Sequence, residues 1–305
     1  MSQPLDPISG RALFEAHPRS FPGNRYVYPV LSRRSGGISI GVNLNLDKLC
    51  NFDCIYCQVD RTEPAKGESV EIDRLAAELD AMVRLVTSGR IYEETGFRHA
   101  PPALRRLNDI ALSGDGEPTA CDKFEEAVAA CADVRRRYGL EEVQLVLLTN
   151  ASLLDRDWVR RGLEILDANG GKIWAKLDAG TDDYYRLVVR SPVPFQRILD
   201  NLRAAARIRP IVIQSLFMRI GGQPPAAAEQ RAFCARLGEI VAAGGRIELV
   251  QLVTIARPPA ESWVAPLSDG ELDAMADLVR QQTHLPVAAF YGAAGVVQQG
   301  SPCPD

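Results

Sequence analysis

The stretch "LNLDKLCNFDCIYCQVDR", residues 44 to 61, places cysteines at 50, 54 and 57 in a chain that holds seven in all. Free cysteines usually occur singly, as small core hydrophobes, so a tight group of three reads as a ligand set. Thiolates spaced x3 and then x2 can wrap one compact cluster. An iron-sulfur cubane ordinarily takes four thiolates, so three would leave one iron open. An open coordination position lets a metal bind something that reacts, by the logic that separates catalytic from structural zinc sites. Zinc itself needs a fourth Cys or His. The three histidines, His17, His99 and His284, lie far from the loop in sequence, although Cys121 or Cys303 could complete such a set. Cys121, Cys131 and Cys234 fall in helix-like stretches and read as small apolar residues.

The segments around this loop alternate strand and helix patterns. "GISIGVNLNL" (37–46) alternates as a strand does and runs directly into the cysteines; "IDRLAAELDAMVRLV" (72–86) has helical periodicity, and "LNDIALS" (107–113) is again strand-like. Helix 121–137 precedes strand 143–150, helix 155–168 precedes strand 172–178, and helical stretches between 182 and 208 precede strand 211–218. Helix 226–243, strand 247–254, helix 269–282 and a weak strand at 286–291 complete the series. Repeated β-then-α units with right-handed crossovers imply a parallel sheet covered by helices. The expected architecture is a partial (β/α)6 barrel over residues 37–291, after an irregular N-terminal extension at 1–36 and before a C-terminal tail at 292–305. The cysteines then follow the first barrel strand at its C-terminal end, where such barrels collect their chemistry.

Composition narrows the functional classes. A formal net charge of -4 and a pI near 5.6 speak against global attraction to a polyanion, so any nucleic-acid contact would need a local basic patch. Arginine outnumbers lysine 30 to 5, and pairs such as Arg105-Arg106 and Arg160-Arg161 read as solvated faces. No apolar run approaches the roughly 18 residues that span a bilayer. A cytoplasmic location is expected, where clustered thiols bind metal or react rather than form disulfides.

The loop Cys50-x3-Cys54-x2-Cys57, with Tyr56 just before the third cysteine, resembles the signature loop of the radical S-adenosylmethionine (radical SAM) enzymes. "SGDGEPT" (113–119), after the next strand, occupies the place of that superfamily's Gly-Gly-Glu motif, and "LTNAS" ends the strand after it. The resemblance implies a [4Fe-4S] cluster on Cys50, Cys54 and Cys57 and a SAM site involving Tyr56, Gly114, Asp115, Gly116, Glu117 and Asn150, the last near the ribose. It also implies reductive cleavage of SAM to a 5′-deoxyadenosyl radical, with electrons from a flavodoxin or ferredoxin. The motifs are similar to a branch of Fe-S oxidoreductases related to the wyosine-base enzymes that modify transfer RNA. Archaeal members of that group carry a second cluster on upstream cysteines, and residues 1–49 here contain none. The substrate stays unknown. A wyosine-like tRNA-modifying enzyme and a non-catalytic iron-sulfur or zinc protein remain the alternatives. The same glycines and proline could simply make a strand-to-helix turn, and Asn150 could cap the following helix.

Strand parity adds one candidate. In "KIWAKLD" the period of two sets Ile173, Ala175 and Leu177 against Lys172, Trp174, Lys176 and Asp178. If the apolar face packs on helices, Lys176 and Asp178 point into the lumen, Lys176 as the candidate catalytic residue or else as half of a satisfied Lys-Asp pair. Ser39, Gly41, Asn43 and Asn45 make the first strand's inner face polar in the same way. Of Gln214 and Ser215, and of Gln251 and Thr254, parity allows only one of each pair to face inward.

Overall fold

A computed structural model describes residues 19–59, 69–259 and 261–292. Its main sheet has eight strands, built from β1 (Val27–Ser32), β2 (Gly37–Val42), β3 (Leu107–Leu112), β4 (Gln144–Thr149), β5 (Lys172–Lys176) and β6 (Ile211–Leu216), then β8 (Ile247–Val253) and β10 (Val287–Phe290), in that spatial order. All neighbours pair parallel except β1 with β2. The short β7 (Met218–Ile220) and β9 (Val264–Pro266) form a separate antiparallel ribbon. Helices α1 (Ile72–Thr87), α2 (Phe124–Arg137), α3 (Asp157–Ala168), α4 (Asp182–Val189), α5 (Phe195–Ile208), α6 (Ala227–Ala242) and α7 (Asp269–Thr283) cover the outside of this curled half-barrel.

Each strand turns its apolar parity to the helices. Ile38, Ile40 and Val42 of β2, and Ile173 and Ala175 of β5, are buried, and burial of an Ile or Val side chain is worth about 1.5–3 kcal/mol. The opposite parity lines the lumen: Ser39 and Gly41 with Asp109, Ala111, Val146, Leu148 and Trp174. Gln214 lines the lumen and its Nε2 donates to Gln251 Oε1 at 3.0 Å, so these two are the inward members of their pairs. Thr254 serves the backbone instead, donating to Phe217 O and accepting from Leu267 N, each at 2.8 Å. Local signals set several ends. Ser268 and Glu271 make a reciprocal capping box that starts α7, and the Thr181 hydroxyl accepts from Tyr184 N at the start of α4.

The stretch expected to be irregular contains the strand β1. An edge strand needs its N–H groups satisfied, and the buried Glu78 carboxylate of α1 accepts from the backbone of Arg25 (2.9 Å), Tyr26 (2.7 Å) and Val27 (3.3 Å). That contact joins positions more than fifty residues apart and leaves no local pattern. The hairpin beyond β1 then carries Arg33, which donates to the carbonyl of Tyr291 just past β10, so the two edges of the sheet approach each other. Helix α2 begins at Phe124, after a short 3-10 turn at Pro118–Ala120, so Cys121 sits in the turn and not in the helix, although it is buried. Cys303 and the tail beyond Gly292 lie outside the described residues.

β1 is held by shape as well as by hydrogen bonds. The Tyr28 ring crosses Gly41, where a Cβ would stand 2.2 Å from Tyr28 Cζ. Gly41→Ala should therefore displace Tyr28 and cost about 1–3 kcal/mol, read as a fall in the denaturation midpoint. An equal midpoint would show that the ring moves aside freely.

Candidate cluster and cofactor site

The cysteine loop leaves β2 and lies across the end of α4. Asp53 N and Ile55 N donate to the carbonyls of Val189 and Val188, each at 3.0 Å, and Ser191 Oγ donates to Asn51 O at 2.7 Å. The last turn of a helix has carbonyls without intrahelical partners, and α4 gives two of them to the loop. Phe52 meets the edge of Tyr185 at 6.1 Å, and Tyr185 stacks on Phe195 at 4.9 Å, which anchors the loop's apolar side in the core. Cys50, Cys54 and Cys57 are partly exposed thiols on this frame, and the Cys57 amide closes a turn onto Cys54 O at 2.9 Å. Burial pushes the Cys54 thiol well up, with Asp178 adding to the effect.

The segment 113–119 fits against that loop from the other side. A Cβ on Gly114 would stand 2.2 Å from Asn43 Oδ1, and one on Gly116 would stand 2.0 Å from the carbonyl of Leu49, the residue before Cys50. Gly114 therefore permits close approach of the β3 end to the end of β2, and Gly116 permits its approach to the cysteine loop. Glu117 is 2% exposed. Its carboxylate accepts from Thr119 N (3.2 Å), Thr119 Oγ1 (2.5 Å), Thr149 Oγ1 (2.6 Å) and Asn150 N (2.7 Å), which clamps the ends of β3 and β4 together. Burial raises its pKa, and these hydrogen bonds offset part of the rise. Asp115 is held by Arg19 at 3.0 Å and Asn43 at 2.7 Å. Asn150 gives its amide N–H to Asn51 Oδ1 at 2.8 Å and takes Ser152 N and Oγ on its own Oδ1. Glu117 and Asn150 thus spend their side chains inside the protein.

The lumen above β5 carries the third group. Asp178 is buried, accepts the Tyr56 hydroxyl at 2.5 Å and Leu216 N at 2.7 Å, and pairs with Lys176 at 3.0 Å. The Lys176 ammonium also stands 5.2 Å from the centre of the Tyr56 ring. Burial first, then Asp178, push the Tyr56 phenol well above its ordinary value, so it stays a neutral donor. Cys57, Gln58, Tyr56, Gly114 and Lys176 line one cavity of about 270 Å³ at the mouth. Asp115, Gly116, Glu117 and Asn150 do not line it. Arg19, Arg33, Arg34 and Arg257 do, and no sequence pattern singled them out. Arg33 and Arg34 lie in the hairpin after β1, within the stretch expected to be irregular. The paired arginines 105–106 and 160–161 are exposed, as expected.

Among the described residues, no three His, Cys, Asp or Glu side chains are arranged to hold a single metal ion. A cubane distributes its thiolates over separate irons, so three thiols on one loop match its donor chemistry without that convergence. Of the segment 113–119, Ser113 and Gly114 border the cavity beside Cys57.

The family model of the Radical SAM superfamily matches residues 45–226, which include the cysteine loop, segment 113–119 and strands β3 to β6. The chain belongs to the radical SAM superfamily. It is 24% identical over 185 residues to a protein of Brachyspira hyodysenteriae named GTPase Obg, covering 59% of this chain and 23% of that one. It is 28% identical over 178 residues to a UPF0026 protein of Synechocystis sp., covering 57% of each. The chain thus spans less than two thirds of either relative. A structure of TYW1 with a lysine-pyruvate adduct bound superposes with a TM-score of 0.51 at 17% identity, covering 80% of this chain and 73% of that one, a likeness of fold. Among the described residues no helix is long and apolar enough to cross a membrane.

The Glu117 clamp is directly testable. Gln supplies one oxygen where two backbone N–H groups, Thr119 and Asn150, now meet two. Glu117→Gln should leave one buried donor facing an amide and destabilise the protein by about 1–3 kcal/mol, measured by chemical denaturation. Unchanged stability would show that the segment repacks without cost.

Proposed function

We propose that this chain is a radical SAM enzyme that reductively cleaves S-adenosylmethionine and acts on a substrate still to be identified. The observation that carries this reading is one cavity bordered at once by Cys57, by Gly114 and by Lys176. Cys50, Cys54 and Cys57 would hold a [4Fe-4S] cluster, which would supply one electron at low potential for cleavage of the C5′–S bond of SAM to methionine and a 5′-deoxyadenosyl radical. Gly114 and its neighbours Asp115 and Gly116 would offer backbone to the methionine end of SAM. Glu117 and Asn150 would act through position, the first by holding the β3 and β4 ends level, the second by bracing Asn51 beside Cys50. Tyr56 would hold Asp178, and Asp178 would hold Lys176 at the wall of the lumen.

The protein's own contribution is geometry and exclusion of water. A reactive radical must meet its substrate before solvent, and the cavity lies between the cysteine loop, the end of β3 and Lys176 of β5. The reductant would be a flavodoxin or ferredoxin, met in the cytoplasm. Lys176 lines the cavity beside Cys57 and Gly114, and its role is proposed as contact with substrate.

Anaerobic reconstitution should load about four irons and four sulfides per chain, and Cys50→Ala, Cys54→Ala or Cys57→Ala should abolish this, while Cys131→Ala and Cys234→Ala leave it intact. Stoichiometric zinc with no iron uptake would overturn the reading. With dithionite or reduced flavodoxin, the loaded protein should form 5′-deoxyadenosine and methionine from SAM; a passive metal protein forms neither.

Lys176→Ala separates substrate contact from cofactor contact. SAM cleavage without substrate should persist in that variant, and stimulation by substrate should fall. Loss of cleavage with the iron retained would assign Lys176 to the cofactor site.

A further inference from the structure

We infer that the ion pair of Asp178 and Lys176, joined to the cysteine loop through Tyr56, sets the potential at which a cluster on that loop takes up its electron. The inference rests on the radical SAM reading for the cluster, and on the geometry of β5 and the loop for the charges. Asp178 is in this sense a positioning residue, acting through Tyr56 and its own charge and not by touching substrate.

Three segments of the chain meet on the Asp178 carboxylate. One of its oxygens accepts the Tyr56 hydroxyl at 2.5 Å. The other accepts Leu216 N, at the end of β6, at 2.7 Å and pairs with the Lys176 ammonium at 3.0 Å. Both oxygens are thus fixed, and Asp178 is only 4% exposed. Tyr56 follows Cys54 by two residues and directly precedes Cys57, so the carboxylate is bonded to the loop between two of the three thiols. The Lys176 ammonium stands 5.2 Å from the centre of the same ring. Both charges therefore contact Tyr56.

Reduction adds one negative charge to an iron-sulfur cluster, so a fixed negative charge nearby opposes it and a fixed positive charge favours it. Net charge and hydrogen bonding around the sulfurs are among the levers that set such potentials. Burial decides which charges count, because exposed ones are screened by water and salt. Asp53, the one charged residue between Cys50 and Cys57, is exposed and lies 3.7 Å from Arg190. Asp178 is buried, and Lys176 is largely so. Lys176 also compensates a carboxylate that would be costly to bury alone, which explains why the two occur together. Their opposite signs make the effect separable, since each can be removed while the other stays.

The measurement is a redox titration of the reconstituted cluster without SAM, followed by electron paramagnetic resonance. Asp178→Asn keeps an oxygen for Leu216 N and removes the charge. At a fixed applied potential it should raise the ratio of reduced to oxidised cluster about tenfold, a shift of about 59 mV for one electron. Lys176→Met removes the opposite charge and should lower that ratio by about threefold or more, and Lys176→Arg should restore the wild-type value. A loosened loop would move both potentials the same way, so opposite signs distinguish charge from a merely structural role. Shifts of the same sign, or ratios equal to wild type in iron-loaded variants, would overturn the inference. If Asp178→Asn takes up no iron, Lys176→Met against Lys176→Arg decides the matter, and equal ratios in those two overturn it. A wild-type protein that takes up no iron would overturn the radical SAM reading itself, and this inference with it.

Discussion

One buried carboxylate organises the mouth of this barrel. Glu117 takes four hydrogen bonds from Thr119, Thr149 and Asn150, and so fixes the end of β3 against the end of β4. From Asn150 the order passes to Asn51 and hence to the cysteine loop, and Glu117's own amide reaches the carbonyl of Leu49 at 3.3 Å. The cost of burying the carboxylate is visible in its raised pKa, and it is met by donors from both strands. A loop that must hold three thiols in a fixed arrangement needs supports of this kind, because its own sequence forms no regular structure.

The second support comes from α4. Its terminal carbonyls would otherwise face solvent; here they receive Asp53 and Ile55, and Ser191 adds a bond to Asn51. The loop is therefore held on two sides by elements far apart in the chain, while Gly114 and Gly116 remove the side chains that would keep β3 away from it. Rigid elements carry the site, and the reacting groups project from the short stretches between them.

The lumen divides its polar groups by function. Near the base, Asp109 meets Ser39 and lies under Arg34, and Gln214 binds Gln251, which satisfies polar side chains inside a barrel. Near the mouth, Asp178 ties Lys176 to Tyr56. The first arrangement satisfies polar groups inside the barrel, and the second ties the wall of the lumen to the cysteine loop through Tyr56.

The cysteine spacing, the β-then-α alternation and the parity of "KIWAKLD" were all legible in the sequence, because each is a short-range pattern: thiols within one loop, one period per element, one face per strand. Those patterns carried the barrel, its family and the inward position of Lys176. The strand within residues 1–36 was not legible, since the chain entering it is anchored by Glu78, a partner on another element. Nor could sequence separate a glycine that lines the cavity, Gly114, from an acid beside it that is sealed in, Glu117. Arg19, Arg33, Arg34 and Arg257 escaped notice for the same reason. An arginine is solvated by default, and only the closure of β1 toward β10 gathers these four around one space. Local periodicity determined which elements form; the long-range contacts that close the barrel decided which side chains meet inside it.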